Sequence, residues 1–509
     1  MDLFNKLAKH WLLAVSGFLT LVCFALVAIL VAKDPLATGG DEGMELAKAL
    51  LLLRTPGQAA TEWTDQPWFY SQVFAGVFRG SVTIARLATA TVGVGMFALW
   101  MTLVKRHSGL ALSFLLPPLV CALPFTLQCF AACMCEIPAY GLAVSALGVL
   151  LLSRPSVLWR GLLAGILFGL AVNVKLTAAM LVPSILIAML WDHDKCWFSI
   201  TMLRQTAVPF CISAGLITAA ACLWSPRFSW SLLWQSHAMA AANGGATVRG
   251  YHAKVADVIP YFSLVVPTLV GAISGLFNPK SRQLAMSQVV AFATAIAVHS
   301  WHVPYWEFYD IHFGFPIAVL SILGLAWLGQ QIRLCLGDVE YSPRFPRILA
   351  GVLLLFIASA SWACSYDIHR PFSQWVDCLK YPKTTDSKLV KYLREATFPE
   401  WHCYSRNNVI IARAGLLQLP DLTILSFKRL WSSSITEKEI IQKVDKARVE
   451  VLMLSELHEM HKDEWRSVLT NRYSLGIQEG DLMIFVRSDL KLKEHNIIDA
   501  KGVIKSLGL

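Results

Sequence analysis

Long apolar runs separated by short polar segments fill the chain from Trp11 to Tyr366. An α-helix needs about 20 apolar residues to cross the hydrocarbon core of a membrane, and these runs have that length or a few residues fewer. A secretory signal peptide is the alternative for the first run, although its apolar part usually has only about 7 to 15 residues. The pattern predicts about eleven membrane helices. They lie at Trp11–Ala32, Ile84–Val104, Leu110–Thr126, Ala139–Leu152, Val157–Val172, Leu176–Trp191, Gln205–Trp224, Val258–Phe277, Gln283–Val303, Phe313–Leu328 and Ile348–Tyr366.

The last part of the chain, Asp367–Leu509, has the charge density of a water-soluble domain. Helical spacing of apolar residues predicts helices at Ser387–Thr397 and Thr436–Arg448. Short β-rich runs predict strands at Val409–Ala412, Val449–Leu454 and Leu482–Val486. We therefore predict a polytopic α-helical membrane domain, 1–366, followed by a small α/β domain, 367–509, that covers the first domain or docks an acceptor.

Composition supports the membrane assignment, because 56% of the residues are hydrophobic and only 15% are charged. So few polar side chains do not coat a soluble globule of this length. The formal net charge is +10, but the basic residues are scattered between apolar runs, which argues against nucleic acid as a partner. They concentrate in alternate loops, and this bias predicts a cytoplasmic N-terminus in the cytoplasmic (inner) membrane. With an odd number of spans, the C-terminal domain is expected on the outer face.

Most of the cysteines lie in or beside apolar runs, where a thiol behaves as a small hydrophobe. Cys133 and Cys135 are spaced too closely for the usual metal-binding motif. Cys378 and Cys403 lie in the domain that we expect outside the cytoplasm. A disulfide between them is one alternative and two free thiols are the other, since sequence does not reveal their separation.

The first outer loop, Lys33–Thr83, is longer than a connector between two helices needs to be, which is typical of functional loops. It carries the acid pair Asp41-Glu42 at its start and Asp65 in the segment DQPWFY. Neighbouring residues on a helix are rotated by about 100°, so one acid of the pair can face the bundle while the other binds a partner. The alternative for Asp41 is an ordinary helix cap.

These motifs, together with Ala85-Arg86-Leu87, resemble the GT-C superfamily of glycosyltransferases that use lipid-linked sugars. The resemblance is to bacterial relatives of the dolichyl-phosphate-mannose protein mannosyltransferases and of the lipid A aminoarabinose transferase. Further motifs carry it along nearly the whole chain: MCEIP around Glu136, GLA followed by Lys175, and YDIHFGFPIAVL at Tyr309–Leu320. Two motifs differ from the family pattern, since Pro67-Trp68 replaces a double proline and His312 replaces a late arginine.

The resemblance implies a GT-C fold and an inverting transfer of sugar from a polyprenyl-phosphate donor. The acceptor would be a glycan, a lipid or a protein, and no organic cofactor is implied, although a divalent cation is an open alternative. Asp41 would be the general base, assisted by Glu42, and Asp65 and Glu136 would position the acceptor or the cation. The lipid phosphate would be bound by Lys175, Arg86 and His312.

Charged residues at membrane edges are costly, and because these all map to one face, they favour the same function. Other interpretations remain open. Arg86 and Lys175 alternatively extend to the lipid headgroups, and His299 and His302 alternatively bind a metal ion. The protein as a whole is alternatively a transporter or flippase, or a homologue that only binds lipid-linked sugar.

Overall fold

A computed structural model describes residues 2–35, 40–58, 66–123, 125–152, 156–192, 197–224, 230–243, 262–301 and 305–337, and most of 373–492. The helices of the first part are α1 Asp2–Lys33, α2 Gly40–Arg54, α3 Phe69–Gly76, α4 Val82–Ser108, α5 Leu110–Ser113, α6 Leu116–Cys121, α7 Thr126–Phe130, α8 Glu136–Leu151, α9 Val157–Val174, α10 Val182–Leu190, α11 Ile200–Trp224, α12 Trp230–Asn243, α13 Phe262–Phe277, α14 Arg282–Trp301 and α15 Ile311–Gly337. Short 3₁₀ turns precede α10 and α15, and a two-stranded hairpin, β1 Trp191–Asp192 and β2 Trp197–Phe198, precedes α11.

Six of the described helices are long and apolar enough to cross a membrane, and four shorter apolar helices lie among them. Large apolar side chains are exposed along their outer faces, among them Leu21, Leu216 and Leu223. Lipid is the solvent that makes such exposure favourable. The chain is therefore a multi-pass membrane protein. Ten of the predicted spans correspond to described helices, and Ile348–Tyr366, with the predicted domain boundary at 366, lies outside the described residues.

Glycines bring α9 against α11 along its length. A Cβ atom on Gly165 would lie 2.1 Å from Ser213 Oγ, and one on Gly161 would lie 2.6 Å from the Thr206 carbonyl oxygen. Close backbone approach of this kind is how helices associate in lipid, where the hydrophobic effect does not drive them together. This packing fixes the end of α9, where Lys175 follows the last helical residue.

One end of the bundle collects the polar residues, because the chain crosses back and forth. The helices α1 and α9 finish there, at Lys33 and Val174, while α4, α8 and α15 begin there. In α4 the Ser81 side chain accepts a hydrogen bond from the Ile84 amide and caps the helix, which places Arg86 in the first turns. We call this end of the bundle the polar end.

The C-terminal domain is built on a five-stranded sheet of order β4-β3-β5-β7-β6, in which β4, β3 and β5 are parallel and β7 is antiparallel to its neighbours. Amphipathic helices cover both faces with their apolar sides, so the domain is α/β. Its elements are α16 Lys388–Ala396, β3 His402–Ser405, α17 Asn408–Ala414, β4 Leu417–Gln418, α18 Glu437–Ala447, β5 Val451–Ser455, α19 Asp463–Leu469, β6 Tyr473–Glu479 and β7 Leu482–Arg487.

The predicted strand at Val409–Ala412 is wrong, since these residues form helix α17. The helix ends at Gly415, whose φ of 81° is favourable for glycine. Ile410 and Ile411 pack into the core beneath the sheet, and Val409 faces α2 instead. These four apolar residues are therefore buried on two sides, against the sheet and against α2. A short apolar run of this kind is compatible with a buried helix as well as with a strand.

The C-terminal domain docks directly on the first loop. A Cβ atom on Gly43 of α2 would lie 2.5 Å from the Val409 backbone nitrogen, so the two helices touch through their backbones. Arg54, at the other end of α2, donates to the Pro399 carbonyl at 2.8 Å. The domain therefore lies at the polar end of the bundle.

Candidate active site

The acid pair lies in the first turn of α2, as the loop pattern predicted. The helix begins at Gly40, so Asp41 is inside the first turn instead of capping the helix. Asp41 is partly exposed and Glu42 is completely buried, because the two side chains point to different sides of the helix. The two acids therefore take part in different networks.

Glu42 belongs to an ion-pair network of two acids and two arginines, which we call the arginine network: Asp34, Glu42, Arg86 and Arg413. Arg86 donates to Glu42 Oε1 at 2.8 Å and to Asp34 Oδ1 at 3.0 Å. Arg413, from α17 of the C-terminal domain, donates to Asp34 Oδ1 at 2.7 Å and lies 3.5 Å from Glu42 Oε1. Four charges of balanced sign thus join α1, α2, α4 and the C-terminal domain.

Lys175 and Glu136 form a second ion pair, deeper in the polar end. The Lys175 ammonium also lies 5.2 Å from the ring centres of Phe308 and Tyr309, close enough for cation–π attraction. Its side chain is 12% exposed and that of Arg86 is 2% exposed. The alternative that these two side chains extend to the headgroups is therefore wrong.

Asp41 lies near this second pair. The charges of Asp41, Glu136, Asp310 and Lys175 all act on the Cys129 thiol, and Asp41 and Glu136 both act on Lys175. Three carboxylates and one ammonium thus lie within electrostatic range of Cys129. We call this group the carboxylate cluster. Its chemistry combines acceptors for a hydroxyl proton with a cation for a phosphate.

His312 lies beside the carboxylate cluster and bonds to another histidine. His312 Nδ1 and His299 Nε2 are 2.9 Å apart and the two rings are stacked. Lys175 is near enough to act electrostatically on both imidazoles. The arrangement brings His312 towards the predicted phosphate site, whereas His302, the other half of the predicted histidine metal pair, lies outside the described residues.

A third buried group was not predicted from the sequence. Glu45 accepts hydrogen bonds from Lys48, Gln66 and Ser71, and each of these side chains is buried. The Lys48 ammonium lies 5.8 Å from the centre of the Trp68 ring. This group holds the DQPWFY segment against α2. In the sequence, Glu45 carried no signal beyond being a further acid in the first outer loop.

The structure thus brings Asp41, Glu136 and Lys175 together, with His312 alongside, and groups Glu42 and Arg86 elsewhere. Asp65 lies outside the described residues, as does Cys378. Cys403 is a buried free thiol that donates to the Leu417 carbonyl. Among the described residues, no three His, Cys, Asp or Glu side chains form a group suited to a metal ion.

No family model matches the chain, and no curated protein matches its sequence. Solved structures do resemble it. ArnT from Cupriavidus metallidurans bound to undecaprenyl phosphate has a TM-score of 0.58 at 12% identity, over 91% of this chain and 97% of ArnT. The archaeal oligosaccharyltransferase AglB from Archaeoglobus fulgidus, in complex with an inhibitory peptide and a dolichol-phosphate, has a TM-score of 0.56 at 13% identity, over 95% of this chain and 75% of AglB.

Both enzymes are GT-C glycosyltransferases, and the similarity extends over more than nine tenths of this chain. The apo form of ArnT gives the same result, with a TM-score of 0.57 over 93% of this chain. The chain therefore has the GT-C fold, as the sequence motifs predicted.

Proposed function

We propose that the protein is a membrane glycosyltransferase that takes a sugar from a polyprenyl-phosphate donor and passes it to a hydroxyl group of an acceptor. The observation that carries the proposal is the carboxylate cluster, in which Asp41 lies within electrostatic range of the Glu136–Lys175 ion pair at one end of a GT-C bundle. The fold alone is shared by enzymes with different donors. The presence of a partly exposed acid near an ammonium that is only 12% exposed is what supports group transfer from a phosphate.

In the proposed step, the acceptor oxygen attacks C1 of the sugar from the face opposite the phosphate. The C1–O bond to the phosphate breaks as the new C1–O bond forms, so the configuration inverts. Asp41 takes the hydroxyl proton. The polyprenyl phosphate leaves with one more negative charge than it had in the donor, and Lys175 stabilises that charge.

Glu136 orients Lys175 in this scheme. An ammonium group has three hydrogen-bond donors. One of them serves Glu136 in the structure, which leaves the group able to contact a phosphate oxygen as well. The cation–π contacts with Phe308 and Tyr309 restrict it further. His312, next to Lys175, is proposed as a further contact of the phosphate.

The arginine network supports a different role for Glu42 and Arg86 from the one that we predicted. The Arg86 donors already serve Glu42, Asp34 and the Pro35 carbonyl. We therefore propose that both residues position α2 and with it Asp41, and that Arg86 does not contact the donor. Asp65 stays a predicted acceptor-positioning residue.

The outer face of the cytoplasmic membrane is the proposed location of the reaction. The support is the excess of basic residues in the loops opposite the polar end. The docking of the C-terminal domain on α2 supports a place for it on the same side. The acceptor would then be a glycan, lipid or protein that reaches the membrane from outside the cytoplasm.

The test is transfer of a radiolabelled sugar from a polyprenyl-phosphate donor by the purified protein, with Asp41→Asn as the variant. Loss of a general base is expected to slow transfer by about 10²- to 10⁴-fold. Binding of the donor lipid should remain, because Lys175 is untouched. The matched control is Asp445→Asn, on an exposed pair with Arg472 in the C-terminal domain, which should transfer at the wild-type rate.

Equal rates for the wild type and Asp41→Asn would refute the assignment of the base. A transporter would instead move the labelled lipid between leaflets of a vesicle without forming a labelled acceptor, for the variant and the wild type alike.

A further inference from the structure

A closed ring of side chains lies beside Lys175 in the polar end, and the proposed reaction uses only part of it. Its members come from α8, α14, the 3₁₀ turn before α15, α15 itself and the end of α9. They are Glu136, Tyr140, Lys175, His299, Tyr309 and His312. We call this group the polar ring.

The first half of the ring runs from Glu136 to His299. Lys175 pairs with Glu136 on one side and lies 5.2 Å from the Tyr309 ring centre on the other. The Tyr309 ring stacks on His299 with 5.0 Å between the ring centres. Each contact joins residues from different helices, so the order of the ring is set by the packing of the bundle.

The second half closes it. His299 bonds to His312, and the Tyr140 ring lies 4.8 Å from that of His312. Tyr140 follows Glu136 by four residues on α8, which places both on the same face of that helix. The ring therefore returns to the helix face that carries Glu136.

Three polar atoms of the ring have no hydrogen-bond partner among the described residues. They are Glu136 Oε2, the Tyr140 hydroxyl and His299 Nδ1. All three residues are at most 2% exposed. A buried polar atom without a partner costs free energy, and native proteins pair nearly all such atoms. Three of them in one ring next to a cation point to a polar ligand that binds there.

We propose that the polar ring binds the sugar of the donor through its hydroxyl groups, and that it excludes sugars that carry a carboxylate. This inference rests on the proposed function, since Lys175 places the phosphate beside the ring. A carboxylate oxygen, a phenol and an imidazole nitrogen are suited to sugar hydroxyls, which both donate and accept hydrogen bonds. The rings of Tyr140 and Tyr309 add the apolar surface on which sugar rings pack.

Charge supports the exclusion of acidic sugars. Glu136 is already a carboxylate in the ring, and Asp41 and Asp310 act on the same region. A uronic acid would add a like charge at short range in a water-poor site, which is unfavourable. Neutral hexoses bring no such charge.

The experiment measures the binding of two lipids to the purified protein in detergent, so that it does not depend on turnover. One lipid is a bare polyprenyl phosphate, and the other is the same lipid with a sugar, taken from a panel of glucosyl, mannosyl, galactosyl and glucuronosyl derivatives. The wild type is expected to bind at least one neutral derivative more tightly than the bare lipid, and the glucuronosyl derivative more weakly than any of the neutral ones.

The variant is Tyr140→Phe, which removes one hydroxyl and keeps the ring packing. It should bind the neutral derivative roughly 3- to 10-fold more weakly, the effect of one neutral hydrogen bond, and bind the bare lipid as the wild type does. Tyr70→Phe is the matched control, since the Tyr70 hydroxyl is also buried and unpaired among the described residues but lies outside the ring. It should bind both lipids normally.

Two results would overturn the inference: no neutral derivative binds more tightly than the bare lipid, or Tyr140→Phe weakens both lipids equally. Failure of the proposed function would look different. A wild-type protein that distinguishes the two lipids through Tyr140 but transfers no sugar would support the polar ring as a sugar site and refute the transferase.

Discussion

Replacing Arg413 by methionine tests whether the C-terminal domain is part of the active site. The substitution keeps most of the length of the side chain and removes the charge that the domain contributes to the arginine network. Asp34 and Glu42 then share one cation, Arg86, where they had two. One negative charge is left without compensation at the start of α2, next to Asp41.

The size of the effect follows from burial. Breaking a fully buried pair costs about 3 to 5 kcal/mol, and the Arg413 side chain is 6% exposed. Asp34, however, is 37% exposed, and Arg86 still neutralises part of the charge. We therefore expect a loss of about 2 kcal/mol, between the values for buried and for surface pairs.

The measurement is unfolding of the purified protein by urea in detergent micelles. A lower midpoint of the unfolding transition with an unchanged slope reports a loss of stability. Arg472→Met is the matched control, because its pair with Asp445 has side chains 58% and 43% exposed. Such a surface pair contributes about 0 to 1 kcal/mol. Transfer by Arg413→Met should also slow, since Asp41 is held by the helix that has lost its anchor.

A double-mutant cycle decides whether the contact itself is responsible. Arg413→Met, Asp34→Asn and the double variant should show a coupling of more than about 1 kcal/mol, since the residues are in direct contact. Strictly additive effects would refute the reasoning, because the loss would then come from packing instead of charge.

Three further predictions follow from other contacts. Lys175→Met should weaken the binding of bare polyprenyl phosphate by at least tenfold, measured by lipid pull-down, since a charge-assisted contact is worth about 1.5 to 3 kcal/mol; unchanged binding would exclude Lys175 from the phosphate site. Gly43→Ala should weaken the docking of the C-terminal domain on α2, because the new Cβ would lie 2.5 Å from the Val409 nitrogen. Gly95→Ala is the control, since its Cβ would have no atom within 4 Å. Limited proteolysis should cleave Gly43→Ala faster than Gly95→Ala. Hydrogen bonds from Thr436 lower the pKa of Glu439. The Glu439 carboxylate therefore stabilises the domain at pH values above the ordinary pKa of a glutamate, and this stabilisation is lost as the pH falls through the lowered pKa. In Glu439→Gln, the free energy of unfolding should no longer show this dependence on pH.

The parts of the site that could be predicted from sequence are the ionisable residues that lie beside long apolar segments. Lys175 and Glu136 follow or precede long apolar helices, where an ionisable residue is costly and so signals function. Their motifs also resemble a known superfamily. Both signals are local, and the structure brings these two residues together.

The parts of the site that could not be predicted are contacts between residues that are far apart in the sequence, and roles that depend on which hydrogen-bond partners a residue has. Arg413 lies 379 residues after its partner Asp34 and directly follows the segment Val409–Ala412, which the pattern assigned to a strand. Arg86 looked like a free cation, and only its three partners show that its donors are in use. Tyr140 gave no signal, since an aromatic residue in a membrane helix is ordinary, and the sequence indicated His299 only as a metal ligand together with His302.

The arginine network also has a consequence for the order in which the protein matures. Asp34, Glu42 and Arg86 are all made early, whereas Arg413 follows Asp34 by 379 residues. At about 5 to 20 residues per second, the stretch of chain between Arg86 and Arg413 leaves the two acids with a single arginine for roughly 16 to 65 seconds. The arginine network around the start of α2 is thus completed only after the C-terminal domain has been made, and a chain that ends before Arg413 carries every proposed catalytic side chain but lacks this second arginine.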